Sequence, residues 1–331
     1  MISTRTSPGV VIEAGLAGFP APWRSCFPCG QWNHMKGLYA GSVKSGIYLA
    51  PRGISNGPGL HAETNSFPLY DRLIENMILF EGVDPNRVYL LGYSAGGDGV
   101  YQTSPRMADR FAAANMSAGH HNSVNPTNLH NLPFLLQVGE NDRAYGRHRA
   151  TVNYYLRMND LERAHPGSYL HDVYVHAGRG HGFNDRGGAQ AVMANPEGWM
   201  HQGDRTTKSI DTNAIRWLSG HTRNPLPEKV IWELSTRAPM RWFGGEQPDG
   251  KSFWLSNSRG RQFYWLDLTK GDISGTIVAR IDRPTNEEFP STAPFRRPGR
   301  SPAESWSKTG SPTRRPELPA TMAPTSMLLM P

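Results

Sequence analysis

The stretch VYLLGYSAGGDGVYQ, residues 88–102, constrains this chain more than any other. Val88 to Leu91 is a short, β-prone apolar run of the kind that forms a buried strand. It breaks into Gly92-Tyr93-Ser94-Ala95-Gly96-Gly97, three glycines around one serine, and then into GGDGVYQTSPRMADRF, which reads as a helix ending near Pro105. A strand turning this abruptly into a helix needs positions without Cβ atoms, where a side chain would collide with the returning backbone. The apex of such a turn presents its hydroxyl to the helix N-terminus, whose unpaired N–H groups favour negative charge. A glycine-rich turn with an incidental serine has the same composition. Chance alone rarely sets Gly-x-Ser-x-Gly between a buried strand and a helix, however. Ser94 is therefore the candidate nucleophile, and the Ala95 N–H the candidate donor to a developing oxyanion.

A serine hydroxyl is a weak nucleophile until a base takes its proton, and the base needs a carboxylate to orient it. On a parallel sheet with this turn, the acid and then the histidine follow later strands. LPFLLQVGENDRAYGR ends a strand at Gly139 and offers Glu140 and Asp142; HDVYVHAGRGHGFN ends a strand at Gly178 and sets His181 in a glycine-rich loop. Asp142 is preferred to Glu140 because it lies deeper in its loop. Asp172 opens a strand and Asp185 follows the histidine, which makes both poorer choices. Of the twelve histidines, His176 reads as a core or sheet-face residue, and His120 and His121 either line the pocket or are structural. A mononuclear metal at these histidines would need a carboxylate cluster that the sequence does not present. Cys26 and Cys29 in CFPCG read as free thiols in a loop. Pro28 and Gly30 oppose a redox helix, and a zinc site using His34 lacks a fourth ligand.

Elsewhere, SGIYLAPRG (45–53), FAAANMSAG (111–119), LPFLLQVG (132–139) and HDVYVHAG (171–178) read as buried strands. LYDRLIENMILFEG (69–82) is an amphipathic helix with Leu69, Leu73 and Met77 four apart, and residues 146–165 form another. Strands alternating with helices imply a mostly parallel sheet covered by helices on both faces. Residues 1 to about 45 carry no clean period and read as loop. Residues 226–285 differ: KVIWEL, KSFWLSN, RQFYWLDL and GTIVARID are short runs split by turn formers, which implies a small antiparallel sheet. There Trp232, Trp254, Phe263 and Trp265 read as the core of that sheet in preference to a stacking surface for a sugar or polymer. From Pro290 onward, nine of 42 residues are proline and no period survives, so the tail is expected to be disordered. That tail holds six Lys/Arg against Glu304 and Glu317, +4 of the chain's +7. The remainder is only mildly basic, and a nucleic-acid partner is not expected. No apolar run is long enough to span a membrane. Glu13 interrupts GVVIEAGLAGF, so no secretory leader is expected and a cytoplasmic location is.

WNHMKGLYAGSVKSGIYLAPRG, the long segment from Phe67 to Asn122 that contains the serine turn, LPFLLQVGENDRAYGR, GRGHGF and TRNPLPEKVIWEL resemble bacterial-type α/β-hydrolases. The likeness is to poly(3-hydroxybutyrate) depolymerase-like and phospholipase/carboxylesterase-like serine esterases, which border the prolyl-oligopeptidase type. It spans roughly residues 32–285. The resemblance implies an α/β-hydrolase domain and a cofactor-free serine esterase acting on a small-molecule or polymeric ester. Carried over, the nucleophile falls on Ser94, the acid on Asp142 and the base on His181. The chain then divides into an irregular segment at 1–31, the hydrolase domain at 32–225, a small β-rich appendage at 226–285 and a disordered tail at 286–331. The family pattern also has further early strands and a His-Gly-Gly-type loop giving the second oxyanion donor. Residues 1–31 hold no such loop, so the domain reads as N-terminally incomplete. Losing one such donor slows catalysis ~10²–10³-fold, and weak hydrolysis is expected. Two other functions share these residues. One is peptide hydrolysis, since substrate choice resides in pocket loops; the other is a non-catalytic binding protein on a hydrolase scaffold, which the missing loop favours.

Overall fold

The computed structural model describes residues 10–14, 37–51, 66–183, 189–234, 262–268 and 275–281, with backbone alone at 10–14 and 189–191. Cys26, Cys29, His34, Asp185, Trp254 and the proline-rich tail lie outside the described residues. In chain order the elements are β1 (Val10–Ala14), β2 (Ile47–Leu49), α1 (Ser66–Glu81), β3 (Val88–Tyr93), α2 (Ala95–Thr103), β4 (Ala113–Ser117) and β5 (Phe134–Gly139). They continue as α3 (Arg147–Ala164), β6 (His171–His176), β7 (Ala189–Met193), α4 (Pro196–Met200), β8 (Thr207–Asp211) and α5 (Ala214–Ser219). Last come β9 (Lys229–Glu233), β10 (Gln262–Phe263), β11 (Leu266–Asp267) and β12 (Thr276–Arg280).

Among the described residues, eight strands form one sheet in the order β2-β1-β3-β4-β5-β6-β7-β8. The first six are parallel, while β7 and β8 extend the β6 edge as antiparallel strands. This is the mostly parallel sheet of an α/β fold. Apolar side chains along β3 point alternately to its two faces, and both faces are covered. Val88 and Leu90 join Phe67, Tyr70 and Ile74 of α1, Val100 and Tyr101 of α2, and Tyr154 and Met158 of α3. Tyr89 and Leu91 point the other way, to Tyr39 and to Ala214 and Leu218 of α5. Burial on both faces explains why β3 reads as a continuous apolar run without alternation.

The chain passes from β1 outward to β2, then crosses back to β3 and proceeds the other way. The carboxyl ends of β1 and β3 therefore flank the point where the strand order reverses, where open α/β sheets leave a crevice. Ala14 lies opposite Gly92 in register, two residues before Ser94.

Two expectations need correction. Residues 10–14, placed within an irregular segment, form β1 and lie between β2 and the strand that carries Ser94. A five-residue strand among glycines and prolines, paired on both sides, has no alternation by which to recognise it. The second correction concerns residues 226–285. β9 and β12 do pair antiparallel, but RQFYWLDL is a hairpin, β10 and β11 around Tyr264 and Trp265, and not one strand. Nor do these strands make a core of their own. Val230, Trp232, Leu234 and Phe263 are buried in the same cluster as the α1, α2 and β3 side chains. Trp232 and Phe263 stack with ring centroids 5.3 Å apart. Asn128, in the loop before β5, exchanges two hydrogen bonds with the Glu233 backbone (2.6 and 3.2 Å), and the Tyr264 hydroxyl donates to the Ala108 carbonyl (3.1 Å).

The shared core makes a prediction about cooperativity. Replacing Trp232 by Ala is expected to lower the single melting transition of the whole protein, at a cost of ~3–5 kcal/mol. Circular dichroism in the far and near ultraviolet should report the same shifted midpoint. A separate early transition, with the main one unmoved, would restore the picture of an independent appendage.

Candidate active site

Close backbone packing fixes the turn after β3. Ser94 has φ 59° and ψ −122°, a strained region for a residue with a side chain. A Cβ on Gly92 would lie 2.3 Å from the Gly96 carbonyl oxygen, and one on Gly97 would lie 2.6 Å from that of Ser117. Gly119 approaches Gly97 equally closely. These contacts seat the first turn of α2 directly on the end of β4. The Ser94 N–H donates to the Ser117 carbonyl (2.9 Å) and the Asp98 N–H to the Ser94 carbonyl (3.0 Å), which anchors the turn at both ends. Ala95 is the first residue of α2, so its N–H belongs to the first turn, which has no intrahelical acceptor.

Ser94, His181 and Asp142 stand in series. The Ser94 Oγ is 2.9 Å from His181 Nε2, and His181 Nδ1 is 2.7 Å from Asp142 Oδ2. Asp142 is 2% exposed whereas the His181 side chain is 44% exposed. A buried carboxylate accepting from Nδ1 selects the tautomer that leaves Nε2 free to accept from the serine hydroxyl. The guanidinium of Arg147, also buried, lies 3.7 Å from Asp142 Oδ1, an ion pair longer than a hydrogen bond. His148 bonds through its backbone N–H and its ring to the Asp142 carbonyl, holding the acid loop from the side of α3. Tyr93, the residue before the serine, donates its hydroxyl to the His181 carbonyl (2.5 Å) and accepts from the Phe183 N–H (3.2 Å).

The other candidates are occupied differently. Glu140 accepts from the Gly178 N–H (2.6 Å) and pairs with Arg205, and it does not reach His181's ring. Asp172, at the start of β6, accepts from the Trp217 indole N–H (2.7 Å). His176 is fully buried in β6 and shares a hydrogen bond with Gln137 (2.9 Å). Burial pushes its imidazole down to about 4, so it is neutral at physiological pH. His121 packs between Tyr101 and Tyr154, and His120 holds Asn122; both rings serve structure. Among the described residues, no group of three His, Cys, Asp or Glu side chains is arranged to hold a metal ion. No described helix is long and apolar enough to cross a membrane.

One residue was not anticipated. Asp98 is buried in the first turn of α2 and accepts from the His120 N–H (2.7 Å). Desolvation pushes its carboxyl up to about 6, against the lowering effects of the His120 hydrogen bond and the Arg147 charge. Its position four residues after Ser94, one helical turn inside a glycine-rich run, was the available sign of its burial.

No protein-family model matches the chain, and no curated protein sequence does. Among solved structures the chain is similar to an esterase (13% identity, 54% of this chain and 86% of that one, TM-score 0.37). It is similar also to a poly(3-hydroxybutyrate) depolymerase from Bordetella parapertussis (16%, 54% and 76%, TM-score 0.39). A third is a carboxylesterase from Mesorhizobium loti (11%, 54% and 82%, TM-score 0.35). Likenesses this distant say nothing of substrate.

Asp98 gives the site a pH-dependent cost. Its folded value of about 6 exceeds the ordinary 3.8, so the folded chain binds the proton more tightly than the unfolded one. Stability should therefore fall as pH rises from about 4 to about 6. Asp98→Asn keeps an acceptor for the His120 N–H and removes the titration. Urea denaturation should find the variant close to the parent near pH ~4 and more stable by on the order of 2–3 kcal/mol near pH ~7.5.

Proposed function

We propose that this protein is a serine hydrolase that cleaves carboxylic esters through an acyl-enzyme. The hydrogen-bonded series Ser94–His181–Asp142 at the carboxyl ends of three parallel strands carries the reading. In the first half-reaction, Ser94 Oγ attacks the ester carbonyl carbon as His181 Nε2 takes the hydroxyl proton. The buried Asp142 carboxyl group, bonded to Nδ1, stabilises the imidazolium that forms. The carbonyl oxygen becomes an oxyanion within reach of the Ala95 N–H at the positive end of α2. His181 then gives its proton to the departing alkoxide as the carbon–oxygen ester bond breaks, leaving an acyl group on Ser94. A water molecule repeats the cycle in reverse order, His181 deprotonating it, and the carboxylic acid leaves with Ser94 restored.

The half-exposed His181 ring matches a site open to acyl groups brought from solvent. The substrate class is carboxylic esters, with short acyl chains as the working assay.

A fluorophosphonate probe tests the proposal, because it reports an activated serine whatever the natural substrate. The parent protein should be labelled, and Ser94→Ala should abolish labelling and turnover of a p-nitrophenyl ester together. Asp142→Asn should lower turnover by about 10⁴-fold while the melting temperature stays close to the parent's. Well-folded parent protein that takes no label would favour the binding-protein alternative, and unchanged turnover in Asp142→Asn would mean that another carboxylate orients the base.

A further inference from the structure

Three glycines, Gly178, Gly180 and Gly182, surround His181, and a loop of this composition has little intrinsic preference for one conformation. Something else must hold it. The acid loop does so through its backbone and through one side chain. The Asn141 N–H donates to the Arg179 carbonyl (2.7 Å), and the Glu140 N–H to the His176 carbonyl (3.0 Å). Gly139 lies so near the histidine loop that a Cβ there would fall 2.0 Å from the Gly180 carbonyl oxygen. The Glu140 side chain, 6% exposed, completes the seam: its Oε2 accepts from the Gly178 N–H at 2.6 Å. Its Oε1 pairs with Arg205, which stands on the segment between α4 and β8 and is largely exposed.

We propose that Glu140 is a positioning residue for His181, acting through the Gly178 N–H, and that its pairing with the exposed Arg205 is secondary to this task. Two residues separate Gly178 from His181, and at Gly178 the backbone has φ +69°, where the chain turns out of β6 toward the base. A buried carboxylate clamped on that turn fixes where the loop begins. Tyr93, bonded to the His181 carbonyl, fixes where it ends. The proposal rests on the esterase reading for its activity assay, and it predicts a length requirement at residue 140 that outweighs the charge requirement. Glutamine keeps an oxygen at the reach of Gly178 but loses the ion pair. Aspartate keeps the charge but falls one methylene short.

The test compares Glu140→Gln with Glu140→Asp in the full-length protein. Three readouts are used: kcat and KM on a p-nitrophenyl ester, the fluorophosphonate labelling rate, and the far-downfield proton resonance of His181 Nδ1–H bonded to Asp142. Glu140→Asp should lose about 10²-fold in kcat, the penalty of a misplaced base, with KM nearly unchanged and the downfield resonance lost or broadened. Glu140→Gln should keep the resonance and stay within about 5-fold of the parent, and Arg205→Met should behave like it. Equal activity in the Asp variant and the parent, or an equal loss in the Gln and Asp variants, would overturn the proposal. Parent protein that neither takes the probe nor turns over ester would instead remove the esterase reading. The resonance would still decide whether Glu140 sets the position of His181.

Discussion

Everything in this structure that bears on chemistry depends on how closely bare backbone can approach bare backbone beneath Ser94. The Gly92–Gly96 and Gly97–Gly119 contacts leave no room for a Cβ atom, and they bring the first turn of α2 onto β4. Only then does Ser94 adopt its positive φ, and only then does α2 aim its unpaired N–H groups at the same point as the hydroxyl. Two-sided burial of β3 supplies the rigidity that such a strained turn needs. Leu90 is gripped on one face and Leu91 on the other, so the strand end cannot relax to relieve the serine.

Electrostatic order extends behind the hydroxyl as alternating charge. Asp142 is buried beside His181, and Arg147 stands behind it within ion-pair distance. Arg147 also acts on Asp98, so one buried cation serves two buried carboxylates. An isolated buried charge would be costly; acting on both acids, the guanidinium offsets part of the desolvation of each. The second carboxylate of the acid loop, Glu140, has a different duty, since it faces the histidine loop's backbone and not the imidazole.

The sequence made the Ser94, Asp142 and His181 positions legible because each follows a buried strand and sits in a loop rich in glycine or polar residues. The parallel strands β3 to β6 and helices α1 and α3 were legible for the same reason: strong periodicity or an unbroken apolar run with clear ends. What escaped had weaker local signals. β1 is short and paired on both sides, and β7 and β8 are brief antiparallel strands, the last of them largely exposed. The hairpin within RQFYWLDL turns at Tyr264, whose positive φ of 54° no sequence rule for turns would assign to a tyrosine. The duty of Glu140 was invisible in a different way. Its partner is a backbone N–H thirty-eight residues away, and backbone donors have no letter in a sequence. Asp98 escaped because its burial is imposed by β4 and its loop, not by its own helix.

The burial of Trp232 and Phe263 in the same cluster as α1 and β3 has a consequence for the order of events during synthesis. All three residues of the hydrogen-bonded series have been synthesised once His181 is made, yet the apolar face behind them is still open. It closes only when β9, the β10–β11 hairpin and β12 arrive from much farther along the chain. Contacts this distant in sequence are slow to form because their loop-closure entropy is paid before the contacts reward it. A nascent chain that already carries Ser94, Asp142 and His181 therefore spends an interval with apolar surface unsealed, when neighbouring chains or chaperones compete for it. The late strands act as a closing seam, and the time at which they are delivered sets when the molecule becomes safe as well as when it becomes competent.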